Sequence, residues 1–151
     1  MQFSSQTEYS IRILLYLACK QEQSDCPATI NTLSEALQIN RNYLPKILKP
    51  LKDRKLLRSE AGSQGGFSLA IDPKTTSLLD IFAVTEGTIK LNQCLDDLES
   101  CNLNREDICP VRNIYLNFQK IFEEYFGSKT LADLVEEELA MQKIQTSEKN
   151  G

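Results

Sequence analysis

The sequence predicts a mainly α fold with one small β-hairpin wing: a winged helix-turn-helix domain followed by a long C-terminal helix suited to dimerisation. Three observations carry this. Two short helical segments meet at Gln38-Ile39-Asn40, and the second is rich in lysine and arginine. Two short alternating segments separated by a glycine-containing turn come directly after it. Further on, large apolar residues recur at alternating steps of three and four, from Val111 to Tyr125.

The elements follow in order. Residues Thr7 to Cys19 place Ile11, Leu14, Leu15 and Ala18 on one stripe, the pattern of an amphipathic first helix. After a loop around Asp25, Cys26 and Pro27, Asn31 is an N-cap residue for a short second helix ending at Leu37. Arg41 to Leu51 then aligns Leu44, Ile47, Leu48 and Leu51, leaving a basic outer face. Pro45 and Pro50 fall inside that segment, where each removes a donor; Pro45 is tolerable in a first turn, and Pro50 has to kink or end the helix. Leu57 to Ala61 and Phe67 to Ile71 form the hairpin around Gly62-Ser-Gln-Gly-Gly66, which makes it the wing. Thr76 to Gly87 reads as a helix with Leu78, Ile81 and Phe82 inward and Gly87 past its end.

Residues 88–110 lack periodicity, are acidic, and hold Cys94, Cys101 and Cys109. From there Val111, Ile114, Phe118, Ile121, Phe122 and Tyr125 make a coiled-coil-like seam. A small winged helix has no core left for so much aromatic surface, so the expected partner is a second copy, giving a two-fold dimer. Ser128 or Thr130 caps a last helix with Leu131, Leu134, Val135 and Leu139. The organisation expected is therefore 1–87 winged helix-turn-helix, 88–110 cysteine-containing loop, 111–141 dimerisation and terminal helices, and 142–151 disordered tail.

Composition narrows the function. The chain has 151 residues and no histidine, which excludes Ser-His and Cys-His catalysis and any histidine-containing zinc site. No phosphate-cradling loop, paired catalytic carboxylates or nucleophile-base set occurs either, so no enzyme is expected. Five cysteines are an odd number, which fits a reducing compartment better than a secreted disulfide framework. With no run of 18 apolar residues, the chain is expected to be cytoplasmic, with no membrane partner.

The net charge is −4, yet Arg41, Lys46, Lys49, Lys52, Arg54, Lys55 and Arg58 face only Asp53 between residues 41 and 58. Acid predominates beyond Leu91. A local basic stretch on the second helix of such a motif points to duplex DNA. Arg41, Asn42 and Lys46 occupy the N-terminal half that reaches base edges, Tyr43 can donate to a phosphate, and Lys49 is farther along and electrostatic. Ser63 and Gln64 are the polar residues of the wing tip.

Cys94, Cys101 and Cys109 suit an iron–sulfur cluster, of 2Fe-2S or 4Fe-4S type, because soft thiolates match its irons; a helix start at Cys109 would also favour the thiolate. Structural zinc, which prefers CxxC pairs, and a metal-free thiol or disulfide switch are the competing readings. Cys19 lies near the apolar face of the first helix and Cys26 in a loop, and neither is expected to be a ligand.

Taken together, Tyr9-Ser-Ile-Arg-Ile-Leu14, Leu33-Ser-Glu-Ala36, Tyr43-Leu44, Leu56-Leu57-x-Ser59, Gly65-Gly66-Phe67-x-Leu69-Ala70, Asp80-Ile81 and Glu86-Gly87 resemble the Rrf-two type of winged-helix transcription regulators. The resemblance covers nearly the whole chain. It implies a homodimeric repressor of a pseudo-palindromic operator, responsive to redox agents or iron through a cluster. It also implies a fourth, acidic ligand near the chain start, given by the opposite subunit. The matching residue is Glu8, whose alternative role is an i, i+4 ion pair with Arg12. Many members carry an arginine before the first wing glycine where this chain has Ala61. A cluster-free member controlled by a partner protein, a small molecule or thiol oxidation is the alternative.

Overall fold

The computed structural model describes residues 3–23, 27–62, 65–101, 103–105 and 107–149. Its first helix, α1 (Ser5–Glu22), starts at Ser4, whose hydroxyl accepts the Thr7 N–H. The helix turns Ile13, Leu14, Leu17 and Ala18 into the core, while Ile11 and Leu15 are only partly covered. The buried stripe is therefore rotated slightly from the one expected. That rotation lets Thr7 and Ser10 enter the core as well.

The helix α2 (Ile30–Leu37) begins two residues early, because Thr29 rather than Asn31 caps it. It ends on Gln38 in the left-handed region, at φ 54, a turn that brings Ile39 down into the core. The Ser34 hydroxyl fixes the turn by donating to the Ile39 carbonyl at 2.7 Å. The next helix, α3 (Leu44–Asp53), is shorter at its start than the sequence pattern suggests. Arg41 to Tyr43 form a turn instead, in which the Asn40 side chain accepts the Asn42 N–H and its carbonyl accepts the Tyr43 N–H. Pro45 sits in the first turn of α3, where it lacks no needed donor, and Pro50 lies inside without ending the helix. Leu44, Ile47, Leu48 and Leu51 are all buried, as the stripe requires.

The wing consists of β1 (Leu57–Glu60) and β2 (Gly66–Leu69), antiparallel, with Leu57 opposite Leu69 and both buried. Each strand is shorter than expected. Ala28 adds a third edge by exchanging both backbone hydrogen bonds with Phe67. This explains the glycine pair: a Cβ on Gly65 would stand 2.3 Å from the Glu60 carbonyl oxygen, and one on Gly66 would stand 2.5 Å from that of Ala28.

Ser77 and Asp80 form a capping box for α4 (Leu78–Glu86), which ends at Gly87 with φ 74. A short turn of helix, α5 (Gln93–Asp96), and a 3-10 turn at Leu98–Ser100 interrupt the cysteine loop. Two long helices complete the chain, α6 (Pro110–Ser128) and α7 (Leu131–Lys149). Thr130 is the cap of α7, its hydroxyl accepting the Asp133 N–H. The backbone of α7 runs to Lys149, past position 142 where a disordered tail was expected; nothing from Met141 to Lys149 is a glycine or proline that would stop it. Backbone hydrogen bonds from Leu78 to Lys129 and from Leu131 to Thr76 lock the starts of α4 and α7 together. Among the described residues no helix is long and apolar enough to cross a membrane.

Candidate nucleic-acid interface and cysteine loop

The turn before α3 and its first exposed positions carry the side chains expected to read DNA. Arg41, Asn42 and Lys46 are exposed, and neither Arg41 nor Lys46 has an ion-pair partner among the described residues. Exposed cations with no ion-pair partner among the described residues are available to phosphates and base edges. Lys49 differs. It is exposed but paired with Asp53 at 2.9 Å, one helical turn on. Tyr43 is half-buried, its ring edge-on to Tyr9 of α1 at 5.9 Å, so it also anchors the turn to the domain. The wing residues Ser63 and Gln64 lie outside the described residues.

Glu8 lies on the exposed side of α1 and pairs with Arg12 at 2.5 Å, the i, i+4 contact weighed against a ligand role. The three loop cysteines are half-buried. Cys109 is the N-cap of α6, its Sγ accepting the Arg112 N–H at 3.5 Å. Arg112 also donates through Nε to the Cys94 carbonyl at 3.3 Å, so one arginine touches both arms of the loop. Among the described residues no three Cys, Asp or Glu side chains gather as a metal site. Cys19 is buried in α1, where desolvation and then the nearby Glu138 carboxylate push its thiol up from the ordinary value. Cys26 lies outside the described residues.

The seam residues divide. Val111, Ile114, Phe118, Ile121 and Tyr125 are 51 to 68% exposed on one face of α6. Phe122 is not among them. It is buried within its own chain, in an aromatic group with Phe82, Phe126 and Phe3 that docks α6 on α4. At about 100° per residue Phe122 stands at the edge of the 111-114-118-121-125 stripe, about 60° from its centre and on the side of Gln119 and Phe126, which are also turned inward.

Comparison with known proteins now decides the family. Residues 3–137 match the family Rrf2, described as an iron-dependent transcriptional regulator. The chain belongs to the Rrf2 family. It is 26% identical to the transcriptional regulator CymR of Bacillus subtilis over 134 residues, covering 89% of each chain. It is 27% identical to the regulator NsrR of Shouchella clausii over 136 residues, again covering 89% of each. Among solved structures, that of CymR, the global cysteine regulator of B. subtilis, matches with a TM-score of 0.75 at 26% identity, covering 90% of this chain and 97% of that one. The T. potens IscR structure matches with a TM-score of 0.71 at 25% identity, over 91% and 88% of the two chains.

These Rrf2 relatives are transcription regulators and not enzymes, and their winged-helix fold is the one seen here. The contacts of several residues that shape this Rrf2 chain escape sequence inspection. Tyr9 is one, since nothing along the chain links it to Tyr43. Glu86 is another: its carboxylate accepts the Ser4 N–H at 2.9 Å, the Ser4 hydroxyl and the Thr7 hydroxyl, tying the start of α1 to the end of α4. Partial burial pushes this carboxyl up, but the hydrogen bonds from Thr7 and Ser4 outweigh it and hold it below the ordinary value. Gln119, buried on α6, is the third.

Proposed function

We propose that this chain is a homodimeric repressor that reads a two-fold-related duplex operator with α3 and the turn before it, and that the loop 88–110 is its sensor. The observation that supports this best is the exposed Arg41 and Lys46, without ion-pair partners among the described residues, at the tip of a helix-turn-helix whose stripe Leu44, Ile47, Leu48 and Leu51 is buried in the core. Two copies joined along the exposed face of α6 would present two such tips to successive major grooves, about 34 Å apart. Selection from random duplexes tests it. Enriched sequences should be pseudo-palindromic, bind with an affinity that falls steeply with salt, and lose specificity when Lys46 is replaced. Failure to enrich any duplex would contradict it.

The donor set of the loop fits an iron–sulfur cluster in kind. Cys94, Cys101 and Cys109 would hold it, Glu8 of the second copy would complete it, and the helix start at Cys109 with Arg112 favours thiolate there. When bound, such a group supplies a centre whose ligation and oxidation state respond to redox agents. The family's description as iron-dependent supports the same reading. Anaerobic reconstitution should give a brown protein, and Cys101→Ala should abolish the visible absorbance. A colourless wild type would favour the second reading, a thiol switch without metal.

A further inference from the structure

The α6 face opposite the seam contains a polar residue, Gln119, that is 4% exposed. A buried amide is costly unless its hydrogen-bonding capacity is used, and here it is used on one short stretch of backbone. Its Oε1 accepts the Leu91 N–H at 2.9 Å. Its Nε2 donates to the Ile89 carbonyl at 3.2 Å and to Glu123 Oε1 at 2.8 Å. Bonding to the carbonyl of one residue and the N–H of the second one on is what a neighbouring strand would do. Gln119 therefore stands in for a strand and pins 89–91 against α6. Lys90 adds a second tie, its Nζ 3.0 Å from Glu123 Oε1.

Arg112 lies seven residues before Gln119, two turns back on the same face and about 10 Å along the axis. It holds the Cys94 carbonyl. The chain from Ile89 to Cys94 thus runs antiparallel along α6, gripped at both ends by the helix whose other face is the exposed apolar stripe. At its upstream end the same stretch leaves α4 at Glu86, which the first turn of α1 holds.

We propose that Gln119 is the positioning residue that couples the cysteine loop to the seam helix, setting where Cys94 stands and passing displacement of the loop to α6. This rests on the loop being the sensor, as proposed above. Gln119→Leu keeps the size and apolar stem but leaves the Leu91 N–H and Ile89 carbonyl without partners. In the full-length, metal-free protein this variant should exchange the Leu91 amide about tenfold faster or more, because local opening no longer breaks those bonds. Iodoacetamide should alkylate Cys94 several-fold faster, with Cys19 unchanged, as read peptide by peptide in a mass spectrometer. Unchanged exchange at Leu91 and unchanged alkylation at Cys94 in the folded variant would overturn the proposal. If Gln119→Leu does not fold, Gln119→Glu retains the acceptor for Leu91 but loses both donors, and should show the Cys94 increase with a smaller change at Leu91. Wild-type rates there would overturn it equally.

Coupling is read separately. In the wild type, alkylating the loop should change duplex affinity; in Gln119→Leu, alkylated and unalkylated protein should bind alike. A wild-type affinity that ignores alkylation refutes the sensor reading, while the clamp is still decided by the exchange and alkylation rates. A Gln119→Leu protein whose affinity responds to alkylation as the wild type does refutes the coupling.

Discussion

Helices α3 and α6 are both amphipathic, but they use their apolar faces in opposite ways. The four apolar residues of α3 on the stripe are buried in the chain's own core, and what remains outward is basic. On α6 only Gln119 and Phe122 are buried among the described residues, and the apolar stripe faces outward. The first helix is finished within one chain, with its outer face left for a polyanion. The second is unfinished and needs an apolar partner, for which another copy of the same stripe is self-complementary. In the function proposed above, DNA reading and assembly fall to different helices, and the cysteine loop lies against the second.

A matched pair of substitutions separates the two most sharply. Ile47→Ala, in the α3 core, should lower unfolding free energy by about 2 to 5 kcal/mol at any protein concentration. Ile121→Ala, the same chemistry on the exposed stripe, should leave the stability of a dilute chain nearly unchanged and lower only the part that depends on concentration. Chemical denaturation at two concentrations checks this; equal, concentration-independent losses would erase the contrast. The basic side is probed by Lys46→Ala, expected to weaken specific duplex binding by about 1 to 3 kcal/mol in an anisotropy titration without altering the dimer.

Two smaller effects concern α1. The carboxyl of Glu86 is held below its ordinary value of 4.5, so its hydrogen bonds stabilise the fold above that pH and are lost as pH falls through the lowered value. Acid titration of stability should therefore be shallower in Glu86→Gln, which should also cost about 1 kcal/mol at neutral pH. Smallest is Glu8→Gln: as the exposed partner of Arg12 it should alter stability by less than about 1 kcal/mol. If Glu8 is instead a ligand for the second copy, the visible spectrum of the reconstituted protein changes while stability does not.

What was legible in the sequence follows from where the signals are local. The stripe 44-47-48-51, the wing with its glycines and the seam 111-114-118-121-125 are all periodic or steric patterns along the chain, and the structure contains each. The start of α3 is not legible, because Arg41 to Tyr43 fit the helical period, whereas Asn40 captures their backbone in a turn. Phe122 fits the seam by size and hydrophobicity, which do not say which of two adjacent faces a residue takes. Gln119 was invisible for the opposite reason, since a glutamine next to an apolar stripe reads as solvated, and only the return of residues 89–91 against α6 gives its amide a buried purpose. Tyr9 with Tyr43, and Glu86 with Ser4 and Thr7, are contacts between distant segments that no spacing encodes.

The proposed division of labour between α3 and α6 depends most on the exposed stripe of α6 being covered by a second copy. Sedimentation velocity of the wild type and of Phe118→Glu, at matched concentration and with helix content followed by circular dichroism, tests that directly. The wild type should sediment as a dimer of the 17.1 kDa chain, and Phe118→Glu as a monomer of unchanged helicity, because a carboxylate buried in an apolar seam costs several kcal/mol. A monomeric wild type, or a Phe118→Glu dimer as tight as the wild type, would contradict it.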